Sequence, residues 1–261
     1  MIYQITRLED AWLDMLESSH YARRIKSHYA AYALKYDFSR LYSVVYDGNT
    51  VGVISIFNAS MVISNMSGCV FSYDMINEIA QFININMPFS VELDPKYADL
   101  LADFISDMYT ADNRTEFAFK SSGKIPELDV AECPSLDSVF NILKTSFPSI
   151  ADSYELWITD TSHRVRRGLS QSFLMGDYTT ATIQYIIDKT ALIGHVATVP
   201  EQRGHFYARR LLYWIGERLT EDGFDVRLMA RPHRVTYYEE IGFEAVGHDK
   251  VFELRKEYHL K

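Results

Sequence analysis

The sequence has 261 residues, 48% of them hydrophobic and 23% charged. This predicts one large or two small domains with sizeable cores and excludes the disordered class. The formal net charge of −9 argues against nonspecific binding to nucleic acid or to an anionic membrane, and suits a cationic or amine-bearing substrate.

Residues 1–10 lack the basic-then-apolar pattern of a secretion signal. Cys69 and Cys133 form no Cys-x-x-Cys pair, so a reducing, cytoplasmic compartment is expected. Leu8, Trp12, Met15 and Leu16 keep a helical spacing that predicts a helix over 8–35. His20 and His28 fall on it, and no carboxylate or cysteine completes a metal site, so contact with solvent or a partner is expected. Two β-rich runs, 41–46 and 50–57, flank Asp47-Gly48-Asn49 and predict a hairpin. The stretch 48–73 has no charged residue. Its polar interruptions and β-branched residues indicate buried strands in place of a membrane span. Ile76, Ile79, Ala80 and Ile83 share one face of a helix over 75–83. A short strand follows at 89–93. Asp94-Pro95 then opens a helix that turns Leu100, Leu101, Phe104, Ile105 and Met108 inward, and 115–120 reads as a strand.

The first half is thus mixed α and β, with no catalytic constellation. The turn-rich stretch 121–126 marks the expected join, giving domains 1–125 and 126–261. The order of hairpin, helix, strand and helix is compatible with a diverged copy of the second half, although no internal sequence repeat is visible.

In the second half, Ser135 is placed to cap a helix with Leu136, Val139, Phe140, Leu143 and Phe147 on its apolar face. Residues 152–167 are aromatic and basic. Runs 169–175, 178–188 and 190–199 are separated by Gly176-Asp177 and Asp188-Lys189, which predicts a three-stranded antiparallel meander. The last strand stops at Pro200. A turn containing Gly204 follows, and then an amphipathic helix with Leu211, Leu212, Ile215 and Leu219 inward, ending near Gly223. The turn sits at a helix N-terminus, where unpaired N–H groups and the helix dipole form a phosphate cradle in principle. A strand at 226–230 runs parallel to 190–199 if the helix is a crossover. A short helix at 236–241 and strands at 243–247 and 250–254 complete the chain.

Pro200-x-x-Arg203-Gly204-x-x-x-Ala208-Arg209-x-Leu211-Leu212 after a strand resembles the acetyl-CoA motif of the GCN5-related N-acetyltransferases (GNATs), whose pattern is Arg/Gln-x-x-Gly-x-Gly/Ala. Arg203 opens the motif, Ala208 closes it, and Phe206 stands at the usual central glycine. Tyr237-Tyr238-Glu239-Glu240-Ile241-Gly242-Phe243 resembles the family's second signature. The resemblance covers residues from about 131 to the end.

It implies an α+β fold: a mixed, mostly antiparallel sheet with flanking helices, here with an additional N-terminal α/β domain. It also implies an N-acetyltransferase that moves an acetyl group from acetyl-CoA to a small-molecule or peptide amine by direct attack in a ternary complex. In the family the strand before the turn pairs with the pantetheine arm, a role that would fall on Ala197, Thr198 and Val199. The turn holding the pyrophosphate would be Arg203, Gly204, His205, Phe206, Tyr207, Ala208 and Arg209. Tyr238 matches the general acid, a phenol of ordinary pKa about 10; the structural alternative is a core aromatic beside Phe243 and Tyr237. His195 and His233 are the candidate bases, with Glu155 and Glu239 as weaker ones. Arg231-Pro-His233 would reach the adenosine side, and 152–167 would serve as an acceptor-side wall or simply as a solvated basic helix end. No metal, nucleic-acid or membrane partner is implied, and a homodimer is possible. The basic residues gather in this half: residues 1–130 carry 10 Lys+Arg against 17 Asp+Glu, residues 131–261 carry 16 against 18. Phe206 supports an alternative, a non-catalytic acyl-CoA-binding or regulatory protein.

Overall fold

In the computed structural model, which describes residues 1–8 and 10–258, the chain begins on a short strand β1 (Ile2–Gln4). The helix expected over 8–35 is two pieces, a 3-10 helix Asp10–Met15 and α1 (His20–Tyr32), with Glu9 outside the described residues. The break has a local cause. Ser19 Oγ accepts from the Ala22 N–H at 3.1 Å and caps α1. Leu16 leaves the helix to form a β-bridge with Met66.

Strands β2 (Ser39–Tyr46) and β3 (Asn49–Phe57) form the expected hairpin. Asp47 and Gly48 both take positive φ, 47° and 76°, as a type I′ turn demands. Then come β4 (Ser60–Asn65), α2 (Tyr73–Asn86), β5 (Ser90–Glu92), a 3-10 turn Pro95–Tyr97, α3 (Ala98–Ile105) and β6 (Tyr109–Phe119). The path continues through β7 (Val130–Ala131), α4 (Leu136–Leu143), α5 (Pro148–Ala151), α6 (Tyr154–Arg166), β8 (Gln171–Met175), β9 (Thr179–Ile187) and β10 (Thr190–Thr198). It ends on α7 (Tyr207–Glu221), β11 (Asp225–Ala230), α8 (Val235–Glu239) and β12 (Phe243–Leu254). The two strands expected at 243–247 and 250–254 are thus one. Among the described residues no helix is long and apolar enough to cross a membrane.

The chain divides into two compact units: Met1–Arg114 with His248–Lys261, and Thr115–Gly247. The stretch 121–126 lies inside the second. In the first unit the strand order is β1-β2-β3-β4-β5 and then the closing part of β12. The pairs are antiparallel except β4 and β5, which run parallel from Ser60↔Ser90 to Val62↔Glu92, with α2 as the crossover. Ile54, Ile63, Ile76, Ile79, Val91, Leu101 and Phe252 belong to its main core. The uncharged stretch 48–73 supplies buried strands, as its composition predicts.

Beneath α1 lies a buried ionic cluster. Glu92, 3% exposed, meets Arg24 Nη1 at 2.9 Å and Arg114 Nη2 at 2.7 Å. Arg114 also bonds Asp249, whose Oδ1 accepts from Tyr21 Oη at 2.6 Å. His20 and His28, for which contact with solvent or a partner is expected, are both buried. His20 lies 3.6 Å from Glu92, and His28 bonds Ser55 Oγ at 2.9 Å and stacks on Phe57. Both face the sheet because α1 packs His20, Tyr21, Ile25 and His28 inward at helical spacing.

In the second unit the order is the closing part of β6, then β11-β10-β9-β8-β7. Here β10 and β11 are the parallel pair and α7 the crossover. Phe117, Phe173, Ile183, Leu211, Ile215, Val226 and Phe243 build its core. Both units therefore follow one order of elements: a three-stranded meander, a crossover helix, a parallel strand and a shorter helix.

Glu217 on α7 ties the 121–123 turn to this core. It accepts from Ser121 Oγ at 2.5 Å, from Ser122 N and Oγ at 2.7 Å each, and from Gly123 N at 3.2 Å. Burial opposes its charge, but these donors outweigh burial and hold the carboxyl at about 2, below its ordinary 4.5. A folded-state pKa below the unfolded one stabilises above the unfolded value, and that contribution disappears as pH falls through the folded one. Glu217→Gln is therefore expected to cost about 2–3 kcal/mol at pH 7. In urea unfolding the gap to the wild type should shrink to about half or less at pH 3. An unchanged gap would place the effect elsewhere than in the charge.

Candidate active site

Strand β10 pairs with β11 only from Thr190↔Asp225 to Ile193↔Leu228. Its pairing with β9 runs on to Thr198↔Thr179, with one extra residue on β10 between Ile193 and Val196. Such a bulge bends its strand, and beyond Ile193 β10 parts from β11. A cleft of about 810 Å³ opens there, lined by Gly194 to Thr198 except His195, by Met229 and Ala230 of β11, and by Tyr237 and Tyr238 of α8.

The pleat decides which backbone groups face the cleft. Val199 N–H donates to Tyr178 O at 2.9 Å, toward β9. Along an antiparallel strand these groups alternate between neighbours, so Ala197 also faces β9. Val196 and Thr198 face the other way. Accordingly Thr198 O accepts from Arg203 Nε at 3.1 Å. Of the expected Ala197, Thr198 and Val199, only Thr198 offers its backbone edge to the cleft; Ala197 contributes a wall, and Val199 is committed to β9. Val196 is a residue that motif reasoning missed and strand alternation could have found.

After β10 a 3-10 turn Pro200–Gln202 leads to Arg203, which lines the cleft and donates to Ser146 Oγ at 3.0 Å. Gly204 has φ 86°, and a Cβ there would meet nothing within 4 Å. Phe206 is the N-cap of α7, left-handed at φ 59°, and no side chain caps the helix there. The left-handed backbone explains why glycine suits this position. The ring is 66% exposed and stands under the Arg209 guanidinium, 5.5 Å from the ring centre, outside the cleft lining. Phe206→Gly relieves a conformation that costs an L-residue about 1–2 kcal/mol and adds chain entropy to the unfolded state. Its expected result in thermal denaturation is unchanged stability or a gain of about 1 kcal/mol, with any stabilisation by added acetyl-CoA the same as in the wild type. A loss of either would show that the ring itself is used.

Ala208 lines the cleft, whereas His205 and Tyr207 stack on each other and Tyr207 packs on Tyr178 at 4.5 Å. Arg209 does not reach the cleft. It pairs with Glu240 and lies over the Tyr237 ring at 5.0 Å. Three arginines do line it, Arg203, Arg231 and Arg234, together with His233.

Tyr238 is half-buried, its ring near those of Phe117, Phe243 and Tyr237 at 5.9, 6.1 and 5.2 Å. It also lines the cleft, so the packing role and the cleft position hold together. Burial raises its phenol pKa, and Arg234 partly opposes this; the hydroxyl remains a proton donor at neutral pH. His233 lies in the same cleft, while His195 packs edge-on to Phe147 at 5.0 Å and does not line it. Glu155 and Glu239 are exposed and outside it. Residues 152–167, read either as an acceptor-side wall or as a solvated basic helix end, do not line the cleft: Trp157 on α6 packs on Phe140, and Arg164 pairs with Asp160 at 2.8 Å. Thr145, Ser146 and Phe147 line it instead. Among the described residues no three His, Cys, Asp or Glu side chains gather as metal ligands.

No family model and no curated protein matches the sequence. Solved structures match in shape. An acetyltransferase of the GNAT family from Colwellia psychrerythraea aligns with a TM-score of 0.62 at 13% identity, covering 98% of this chain and 100% of that one. A tandem GNAT protein from the clavulanic acid biosynthesis pathway gives 0.64 at 11%, covering 97% of each. A GCN5-related N-acetyltransferase from Kribbella flavida gives 0.63 at 15%, covering 94% and 98%.

This chain has the GNAT fold. The likeness spans nearly the whole chain and is not confined to the second half, where the sequence resemblance stops. The GNAT signatures in the sequence fall on the turn before α7 and on α8, the two elements that close the cleft beyond the parting of β10 and β11.

Proposed function

We propose that this protein moves an acetyl group from acetyl-CoA to a primary amine by direct attack in a ternary complex. The observation that carries this reading is the parting of β10 from β11 beyond Ile193, over a cleft that leads to the uncapped N-terminus of α7. Val196, and Thr198 alongside the Arg203 bond to its carbonyl, present a strand edge to the pantetheine amides. Arg203, Gly204 and the first amides of α7 suit a pyrophosphate. A backbone N–H in the Gly194–Val196 bulge would serve the thioester oxygen as its charge develops. As the N–C bond forms the C–S bond breaks, and the Tyr238 phenol gives its proton to the departing sulfur. The surplus proton of the amine passes to water and restores the phenol, with His233, which lines the same cleft, to relay it.

The first unit is, on this proposal, a diverged GNAT-like half, because its element order repeats that of the second. Its own helix N-terminus is closed. Ser72 Oγ caps α2, Phe71 N–H donates to Tyr97 Oη at 3.1 Å, and the Phe71 ring is buried in the core. One acetyl-CoA per chain follows. We place the reaction in the cytoplasm, with a small-molecule or peptide amine as partner and without nucleic acid or membrane.

A second reading, a non-catalytic acyl-CoA-binding protein, is favoured by Phe206 at the glycine position. Thermal denaturation with acetyl-CoA, followed by thiol release on an amine panel, separates the two. Ligand at 100 times its dissociation constant adds about 2.7 kcal/mol of stability. Stabilisation with thiol release is the expected result. Stabilisation alone favours the second reading, and no stabilisation contradicts both.

A further inference from the structure

We infer that the acceptor amine carries its own negative group, a carboxylate or a phosphate, and is not a polycation; this rests on the acetyl-transfer reading above. The chain as a whole is acidic at −9, but the cleft is not. None of the residues that line it is Asp or Glu, while Arg203, Arg231, His233 and Arg234 all do. Acetyl-CoA brings its own phosphates, but among the protein groups that line the cleft a polyamine would find like charge and no carboxylate.

Arg234 points to the acceptor as the source of the anion. Arg203 stands in the turn before α7, bonded to Thr198 O and Ser146 Oγ, and is the cation that the acetyl-transfer reading assigns to the donor's phosphates. Arg234 lies on the β11 side, in the turn ahead of α8. Its guanidinium is 6.0 Å from the centre of the Tyr237 ring, and its charge also acts on Tyr238. It has no carboxylate partner among the described residues. A cation that lines the same cleft as the proposed proton donor, next to its neighbour Tyr237, is placed to hold something bound near the reacting atoms. The same positive surroundings favour the neutral form of an incoming ammonium, which is the form that attacks.

The test uses the full chain, calorimetry with acetyl-CoA, CoA and dephospho-CoA, and thiol release with matched amines: an amino acid against its amide, an amino-sugar phosphate against the free amino sugar, and a linear polyamine. One charge-assisted contact is worth about tenfold. An anionic amine should therefore exceed its neutral match about tenfold in kcat/KM. Arg234→Gln should remove that preference, through KM more than through kcat, with acetyl-CoA affinity little changed, and Arg234→Lys should restore much of it. A polyamine or neutral amine turned over better would overturn the inference, as would silence toward anionic amines while acetyl-CoA binds. So would an Arg234→Gln variant that loses affinity for CoA but not for dephospho-CoA, because the cation would then belong to the donor. Absence of acetyl-CoA binding in the wild type would instead defeat the acetyl-transfer reading itself.

Discussion

Replacing Tyr238 with Phe is expected to lower kcat by about 10²–10⁴, the usual worth of a positioned acid, while acetyl-CoA binds as before. The substitution keeps the ring, and with it the contacts to Phe117, Phe243 and Tyr237. Only the hydroxyl is lost, so a fall in kcat without a fall in stability isolates proton transfer. The pH dependence has a definite sign. Burial moves the phenol above its ordinary 10.0, so it stays protonated across the neutral range, and any loss of rate from its ionisation lies on the alkaline side. That alkaline limb should vanish in the variant. A variant with wild-type kcat would leave Tyr238 as a packing residue only.

The largest expected effect on stability is in the first unit, at Glu92. Burial alone would push its carboxyl up, but Arg24, His20 and Arg114 together hold it well below the usual 4.5. Removing one partner of a buried charge cluster leaves the others uncompensated, at a cost of about 3–5 kcal/mol. Glu92→Ala is therefore expected to destabilise by that amount in urea unfolding, because the guanidiniums of Arg24 and Arg114 lose the carboxylate they share. The depressed pKa makes the wild-type contribution full above about pH 4.5 and lost as pH falls below it. The variant should therefore flatten the acid limb of the stability profile. A cost below about 1 kcal/mol would mean that water reaches the cluster and screens it as at an exposed pair.

Much of the architecture was legible because it is local. Asp47-Gly48 prescribes its hairpin, Asp94-Pro95 its helix start, and the alternation of 169–199 its meander. The helix over 8–35 was misread where long-range contacts win: Leu16 is drawn out to Met66, and no periodicity within the segment reports that. His20 and His28 were misplaced for a related reason. Two histidines on a helix read as polar until Glu92 and Ser55 are brought under them from distant strands. The candidate site divides in the same way. Arg203, Ala208 and Tyr238, which the family resemblance implied, do line the cleft. Arg209, by contrast, is claimed by Glu240, and His195 is turned toward Phe147 at the bulge, outcomes set by side chains far off in sequence. Thr145, Ser146 and Phe147 carry no motif, and only the fold brings them to the cleft.

The central claim is that the gap between β10 and β11, with the open start of α7, receives acetyl-CoA, and that the closed start of α2 does not. Titration calorimetry of acetyl-CoA into the intact chain tests it most directly. The account predicts saturable binding with one equivalent per chain, abolished by a bulky Ala208→Trp substitution in the cleft wall. Absence of binding, or binding that Ala208→Trp leaves untouched, would contradict it.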